Sequence, residues 1–194
     1  MSLSIPVADA AAAKLQRAQS LVGTSAGRPD NDYYPTPPAA TEALLSVETF
    51  AGDIWEPACG DGAICKVLAA HGHQVIASDL IDRGYGEAPH DFLTATRTVA
   101  NIITNPPFKL GEAFVRQALA RSTAKVALLG KLQFLEGAKR KVMFETTPLA
   151  RVWVFSKRLT MTREGKKMEN SGMIAFAWYV WEHGYTGQPV LGWL

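Results

Sequence analysis

From residue 33 onward, short apolar runs alternate with stretches whose apolar residues recur every three or four positions, and that alternation leaves few folds open. The strand-like runs are residues 53–56, 74–78, 100–104, 125–129, 151–155 and 174–181, the last read as the longest and final strand. Between them lie helical patterns. Thr36-Pro37-Pro38 opens a helix continued by 39–47, because a proline in the first turn gives up only an N–H that would be unpaired there. Residues 63–71 set Ile64, Val67 and Leu68 on one face, residues 110–121 align Phe114, Val115, Ala118 and Leu119, and residues 135–144 form a further helix. The strand at 74–78 is expected to be buried. Strands joined through helices predict an α/β fold with a mostly parallel sheet covered on both faces. The polar stretch 156–172 carries no strong helix, so the final two strands are expected to form an antiparallel hairpin. Residues 1–32 hold a candidate helix at 8–21, broken by Gly23-Thr-Ser-Ala-Gly27-Arg-Pro29, and read as a loosely attached arm before a single domain at 33–194.

Composition narrows the function classes. With 47% hydrophobic and 20% charged residues the chain can build an ordinary core, which excludes global disorder. No apolar run approaches the roughly 18 residues of a membrane span, and the first residues lack the basic and apolar blocks of a secretory signal. Two cysteines, Cys59 and Cys65, give no disulfide framework and no cysteine-only zinc site; His71 and His73 alone do not make a metal site, so no metal is expected. A cytoplasmic protein is the expectation. Residues 1–120 carry eight Lys/Arg against thirteen Asp/Glu, and residues 121–194 carry twelve against five, so the net +2 hides halves of −5 and +7. A basic second half suits a polyanionic partner, and equally a solvated surface.

Three motifs carry chemistry. Glu56-Pro57-Ala58-Cys59-Gly60-Asp61-Gly62 joins the first strand to its helix, where small residues let a ligand approach the backbone in the crevice beyond the strand ends. Asp79 follows the next strand, nineteen residues after Gly60, where a carboxylate can accept from both hydroxyls of a ribose or simply close a turn. Asn105-Pro106-Pro107-Phe108 follows the third strand. Its two prolines fix the backbone and remove two donors. The Asn105 amide oxygen and the Pro106 carbonyl can then accept the two hydrogens of an exocyclic amine, which frees the nitrogen lone pair for an electrophile. Phe108 offers a face on which a planar base can stack, unless the segment is only a rigid turn with a core aromatic.

On these residues the chain resembles the S-adenosylmethionine-dependent amino-methyltransferases, specifically the adenine-N6 DNA methyltransferases of bacteria and phages, from about residue 33 to the C-terminus. The resemblance implies a Rossmann-like class I fold, a seven-stranded sheet with an antiparallel strand from the terminal hairpin, and S-adenosylmethionine as cofactor, leaving S-adenosylhomocysteine. It implies Asn105, Pro106, Pro107 and Phe108 as the catalytic motif. Tyr34-Pro35-Thr36-Pro37 is similar to the segment that closes over the methionine end of the cofactor. Glu56 to Gly62, with Asp79 and Leu80, and Asn105 itself, match the cofactor-binding positions, and Asp91-Phe92 matches the acidic position that binds the cofactor's adenine amine. The chain departs from larger members in having no separate target-recognition domain.

For a nucleic-acid partner, DNA before RNA, the candidate grip is the loop 156–172, with Lys157, Arg158, Arg163, Lys166 and Lys167 facing only Glu164 and Glu169. Trp153, Trp178 and Trp181 fall in strands and read as core or interface residues. An RNA adenine, a protein glutamine, or a non-catalytic role as a cofactor-binding subunit are the competing readings. No membrane partner is expected, a homodimer is left open, and a bacterial or phage-infected cell is the implied setting.

Overall fold

The computed structural model describes residues 33–160 and 174–194, with the backbone alone of two short strands between them. The arm expected at 1–32 lies outside the described residues. Three crossover units run from α1 (Pro38–Val47) through β1 (Ile54–Glu56), α2 (Ala63–Ala70), β2 (Val75–Ala77), β3 (Val99–Thr104) and α3 (Gly111–Arg121) to β4 (Ser122–Lys131). Then follow α4 (Ala138–Thr146), β5 (Leu149–Val154), the ribbon β6 (Thr162–Arg163) and β7 (Lys166–Lys167), β8 (Phe176–Glu182) and β9 (Val190–Trp193).

Seven strands form one sheet in the order β2-β1-β3-β4-β8-β5-β9. Four of its six pairings are parallel, and β8 lies antiparallel between β4 and β5, which makes the expected hairpin of β5 and β8. Both faces are covered, so the strands read as continuous apolar runs whose alternate residues enter different cores. On β4, Val126 and Leu128 join Trp55, Ile102, Phe114 and Met143 under α3 and α4. Ala127 and Leu129 instead join Ala40, Leu44, Ile64 and Leu68 under α1 and α2. Trp178 and Trp181, on β8, are fully buried in these opposite cores.

Three expectations need correction. The strand at 174–181 is neither last nor longest: β4 runs for ten residues, and β9 follows β8 and pairs parallel with β5 at the far edge. A proline and two glycines hide β9 in the sequence, yet Gly192 is required there, because any Cβ would collide with the Trp153 ring beside it. The strand at 74–78 is half-buried, since β2 is a sheet edge extended only by the Ser78–Glu87 bridge. Residues 132–135 form a 3-10 turn, and the helix expected from 135 starts at Ala138 after Gly137, whose φ of +104° few other residues adopt.

Glu48, at the end of α1, ties the helix to the sheet. Its buried carboxylate meets Arg151 Nε, Lys125 Nζ at 2.9 Å and Trp153 Nε1 at 2.9 Å. Burial alone would raise its pKa, but these donors outweigh it and hold the carboxyl below its ordinary range. No helix among the described residues is long and apolar enough to cross a membrane.

Candidate active site

β2, β1 and β3 are parallel neighbours, so their C-terminal ends lie at one edge of the sheet, and the three sequence motifs follow those ends. The Glu56–Gly62 turn is anchored to the neighbouring strand: Cys59 N–H donates to the Ser78 carbonyl at 3.0 Å, and Gly60 N–H donates to Asp79 Oδ2 at 2.8 Å. Gly60 and Gly62 take φ of +58° and +83°, values that disfavour any other residue. A Cβ on Gly62 would also lie 2.7 Å from the Tyr85 ring, which covers the turn. Asp79 Oδ1 accepts from Ile81 N–H at 2.9 Å. Its carboxylate is therefore held by two backbone donors, with lone pairs to spare for a ligand.

Glu56 is 1% exposed. Its Oε1 accepts from Thr104 Oγ1 at 2.6 Å and from Ala58 N–H at 3.0 Å, while the buried Oε2 has no partner among the described residues. Burial pushes the carboxyl up to about 8, with the Asp79 charge adding to the rise against the pull of the Thr104 and Ala58 hydrogen bonds. A buried oxygen without a partner is unfavourable in either protonation state, and a polar ligand in the crevice would relieve it. Cys59 is buried within the turn, and burial first, then Asp79 and Glu56, push its thiol up to about 12, which disfavours the thiolate.

Asn105 comes at the end of β3. Its Nδ2 donates to Thr36 Oγ1 at 3.0 Å, bringing the Tyr34-Pro35-Thr36-Pro37 segment onto the Asn105-Pro106-Pro107-Phe108 motif across 69 residues of sequence. With its nitrogen committed to Thr36, the amide leaves Oδ1 as the group available to an incoming donor. The Pro107 carbonyl is taken by Leu110 N–H at 2.8 Å, whereas the Pro106 carbonyl has no protein partner among the described residues. Phe108 is 36% exposed, 5.9 Å from the Phe176 ring, and is thus reachable.

Other expected positions divide. Asp91 caps the 3-10 turn Phe92–Thr94, its Oδ1 accepting from Leu93 N–H at 3.0 Å. The Phe92 ring is core, edge-on to Trp55 at 5.2 Å and tilted on Phe114 at 5.0 Å, so it offers a ligand no side-chain face. Lys157 and Arg158 are exposed on the segment leaving β5; the side chains of Arg163, Lys166 and Lys167 lie outside the described residues. Leu159, next to these exposed cations, is anchored in the core under α1.

Sequence reading missed Thr104, which holds Glu56, and Tyr85, which covers Gly62. It also missed four residues beside Phe108: Lys131, Gln133, Phe134 and Arg140 line a pocket with it. Only the Gly84-Tyr85-Gly86 pattern gave a local signal, two positive-φ glycines around one aromatic.

No family model matches the chain, and no curated protein does. Among solved structures, a Pyrococcus horikoshii protein provisionally assigned as an RNA methyltransferase superposes with a TM-score of 0.62 at 14% identity, covering 88% of this chain and 98% of that one. The modification subunit of a type I restriction enzyme, provisionally assigned in Vibrio vulnificus YJ016, gives 0.58 at 13% identity, over 81% of this chain and 45% of its own. The M protein of the type I restriction enzyme EcoKI gives 0.55 at 11% identity, over 76% and 43%. The chain thus spans less than half the length of these two subunits. The fold it shares with all three is the Rossmann-like, class I methyltransferase fold.

Proposed function

We propose that the chain methylates the exocyclic N6 amine of adenine in DNA, using S-adenosylmethionine. The observation that carries this reading is the Asn105–Thr36 hydrogen bond, which turns the amide oxygen, rather than the amide nitrogen, toward an incoming amine. Asn105 Oδ1 and the Pro106 carbonyl accept one amine hydrogen each, drawing the nitrogen lone pair out of conjugation and toward the crevice. Phe108 stacks on the base. A duplex base reaches this point only by leaving its stack, which a protein with an exposed aromatic at the catalytic motif can reward.

The residues of the crevice fit the cofactor. Asp79 is preorganised to accept from a ribose, and the glycine turn admits a close ligand. The unpartnered Glu56 Oε2 awaits a polar or cationic group. When bound, S-adenosylmethionine supplies a methyl group on a positively charged sulfur, ready for attack by a nitrogen lone pair. Neither a metal nor a covalent protein nucleophile is required in this scheme. Within residues 121–194 the twelve Lys/Arg against five Asp/Glu supply the positive charge that would hold the nucleic acid. An RNA adenine is the second reading, favoured by the near end-to-end match to the protein provisionally assigned to RNA.

Asn105→Ala tests the assignment. The variant should bind S-adenosylmethionine as the wild type does and lose methyl transfer by about a hundredfold or more, since the lost oxygen acts on the acceptor amine. Transfer at the wild-type rate would remove Asn105 from catalysis.

A further inference from the structure

Beside the Asn105 motif, the end of β4, the turn Leu132–Leu135 and the start of α4 enclose a pocket of about 160 Å³. Aromatic rings bound it, Phe108 and Phe134, and each carries a cation. Lys131 Nζ lies 4.7 Å from the Phe108 centroid, and the Arg140 guanidinium lies 5.6 Å from the Phe134 centroid. Both cations are half-buried, yet neither has a carboxylate partner among the described residues. Their neighbours differ: Lys125 on the same strand and Arg151 on β5 are both neutralised by Glu48. Arg140 Nε donates to the Glu136 carbonyl at 2.6 Å, which fixes the stem and leaves the terminal nitrogens without an acceptor among the described residues.

The charge on α4 points the same way. Its first turn holds Lys139, Arg140 and Lys141 and no acidic residue, although the positive end of the helix dipole favours carboxylates there. Lys141 is matched by Glu145 at 3.6 Å, and Lys139 is exposed. Arg140 alone of the three borders the pocket. A half-buried pair of cations set against aromatic rings, one of them against the helix dipole, is satisfied by an anion attached to a planar ring.

We propose that Lys131 and Arg140 determine acceptor specificity by holding the phosphate of the acceptor nucleotide, so that the pocket takes a phosphorylated nucleotide in preference to a free nucleoside or an amide side chain. The identity of the base rests on the function proposed above; the phosphate contact does not. Lys131 Nζ lies over the Phe108 ring. A base stacking on Phe108 displaces its ammonium, which the flexible stem then delivers to the phosphate.

The test is an NMR titration of the full chain, saturated with S-adenosylhomocysteine to close the ribose site at Asp79, with deoxyadenosine and with deoxyadenosine monophosphate. The wild type should bind the monophosphate at least about tenfold more tightly, as expected for charge-assisted bonds to one phosphate. Lys131→Ala/Arg140→Ala should lose that preference while still binding S-adenosylhomocysteine, and Lys131→Arg should retain it. Lys139→Ala, a change of the same charge on the same helix outside the pocket, should leave it intact. A wild type that binds the two equally or binds neither overturns the proposal, as does a double variant that keeps the preference. A phosphate preference without methyl transfer to any nucleic acid would instead overturn the proposed function and leave this inference standing.

Discussion

Glu56→Gln tests whether the buried carboxyl keeps its proton into the neutral range. Below pH 4.5 the folded and unfolded chains both hold the Glu56 proton, and the group contributes nothing. Between 4.5 and about 8 the unfolded chain releases the proton while the folded chain keeps it, so stability falls with rising pH. The slope approaches ~1.4 kcal/mol per pH unit and levels off above about 8, for a total penalty on the order of 5 kcal/mol. Glutamine does not titrate. Its amide oxygen can keep the Thr104 and Ala58 hydrogen bonds, but its NH₂ replaces Oε2 at a point with no acceptor, which costs ~1–3 kcal/mol at any pH. The variant should therefore be the less stable protein near pH 5 and the more stable one near pH 8, with the curves crossing between. Urea unfolding midpoints taken from pH 5 to 8.5, at unchanged denaturant slope, read this directly. A difference between the two proteins that stays constant with pH would refute the buried, proton-holding carboxyl.

Three further outcomes follow from the same geometry. Asp79→Ala should weaken S-adenosylmethionine binding by about five- to a hundredfold in calorimetry, because it removes the proposed ribose acceptor and releases Gly60 N–H and Ile81 N–H together; unchanged affinity would remove Asp79 from the proposed site. Thr36→Val frees the Asn105 amide to rotate, so the transfer rate should drop about tenfold or more with cofactor affinity retained, and an unaffected rate would mean that Thr36 does not orient it. Replacing Lys157, Arg158, Lys166 and Lys167 by Ala should flatten the plot of log DNA affinity against log salt while leaving the cofactor affinity unchanged. An unaltered slope would place the nucleic acid elsewhere.

Much of the fold was legible because burial on both sheet faces leaves dense apolar runs, as in β3, β4 and β8, and because α3 presents a clean apolar face. β9 was not legible: Val190, Leu191 and Trp193 are exposed, and the strand forms through pairing with β5 rather than through its own pattern. The shifted start of α4 reflects backbone geometry at Gly137 that periodicity does not register. In the site, the Glu56–Gly62 and Asn105–Phe108 motifs were readable because their chemistry is local in sequence. The Thr36–Asn105 bond and the placement of Arg140 beside Phe108 arise when distant elements meet, and no local spacing encodes them. The sequence does not tell that the Phe92 ring, next to Asp91, belongs to the core, because that depends on Trp55 and Phe114 from distant elements.

The central claim is tested most directly by supplying methyl-labelled S-adenosylmethionine to the chain with DNA, RNA and protein in parallel, and identifying the labelled product by mass spectrometry. The account predicts label in DNA as N6-methyladenine, abolished in Asn105→Ala. Label on protein glutamine, label undiminished in Asn105→Ala, or no transfer to any of the three would contradict it.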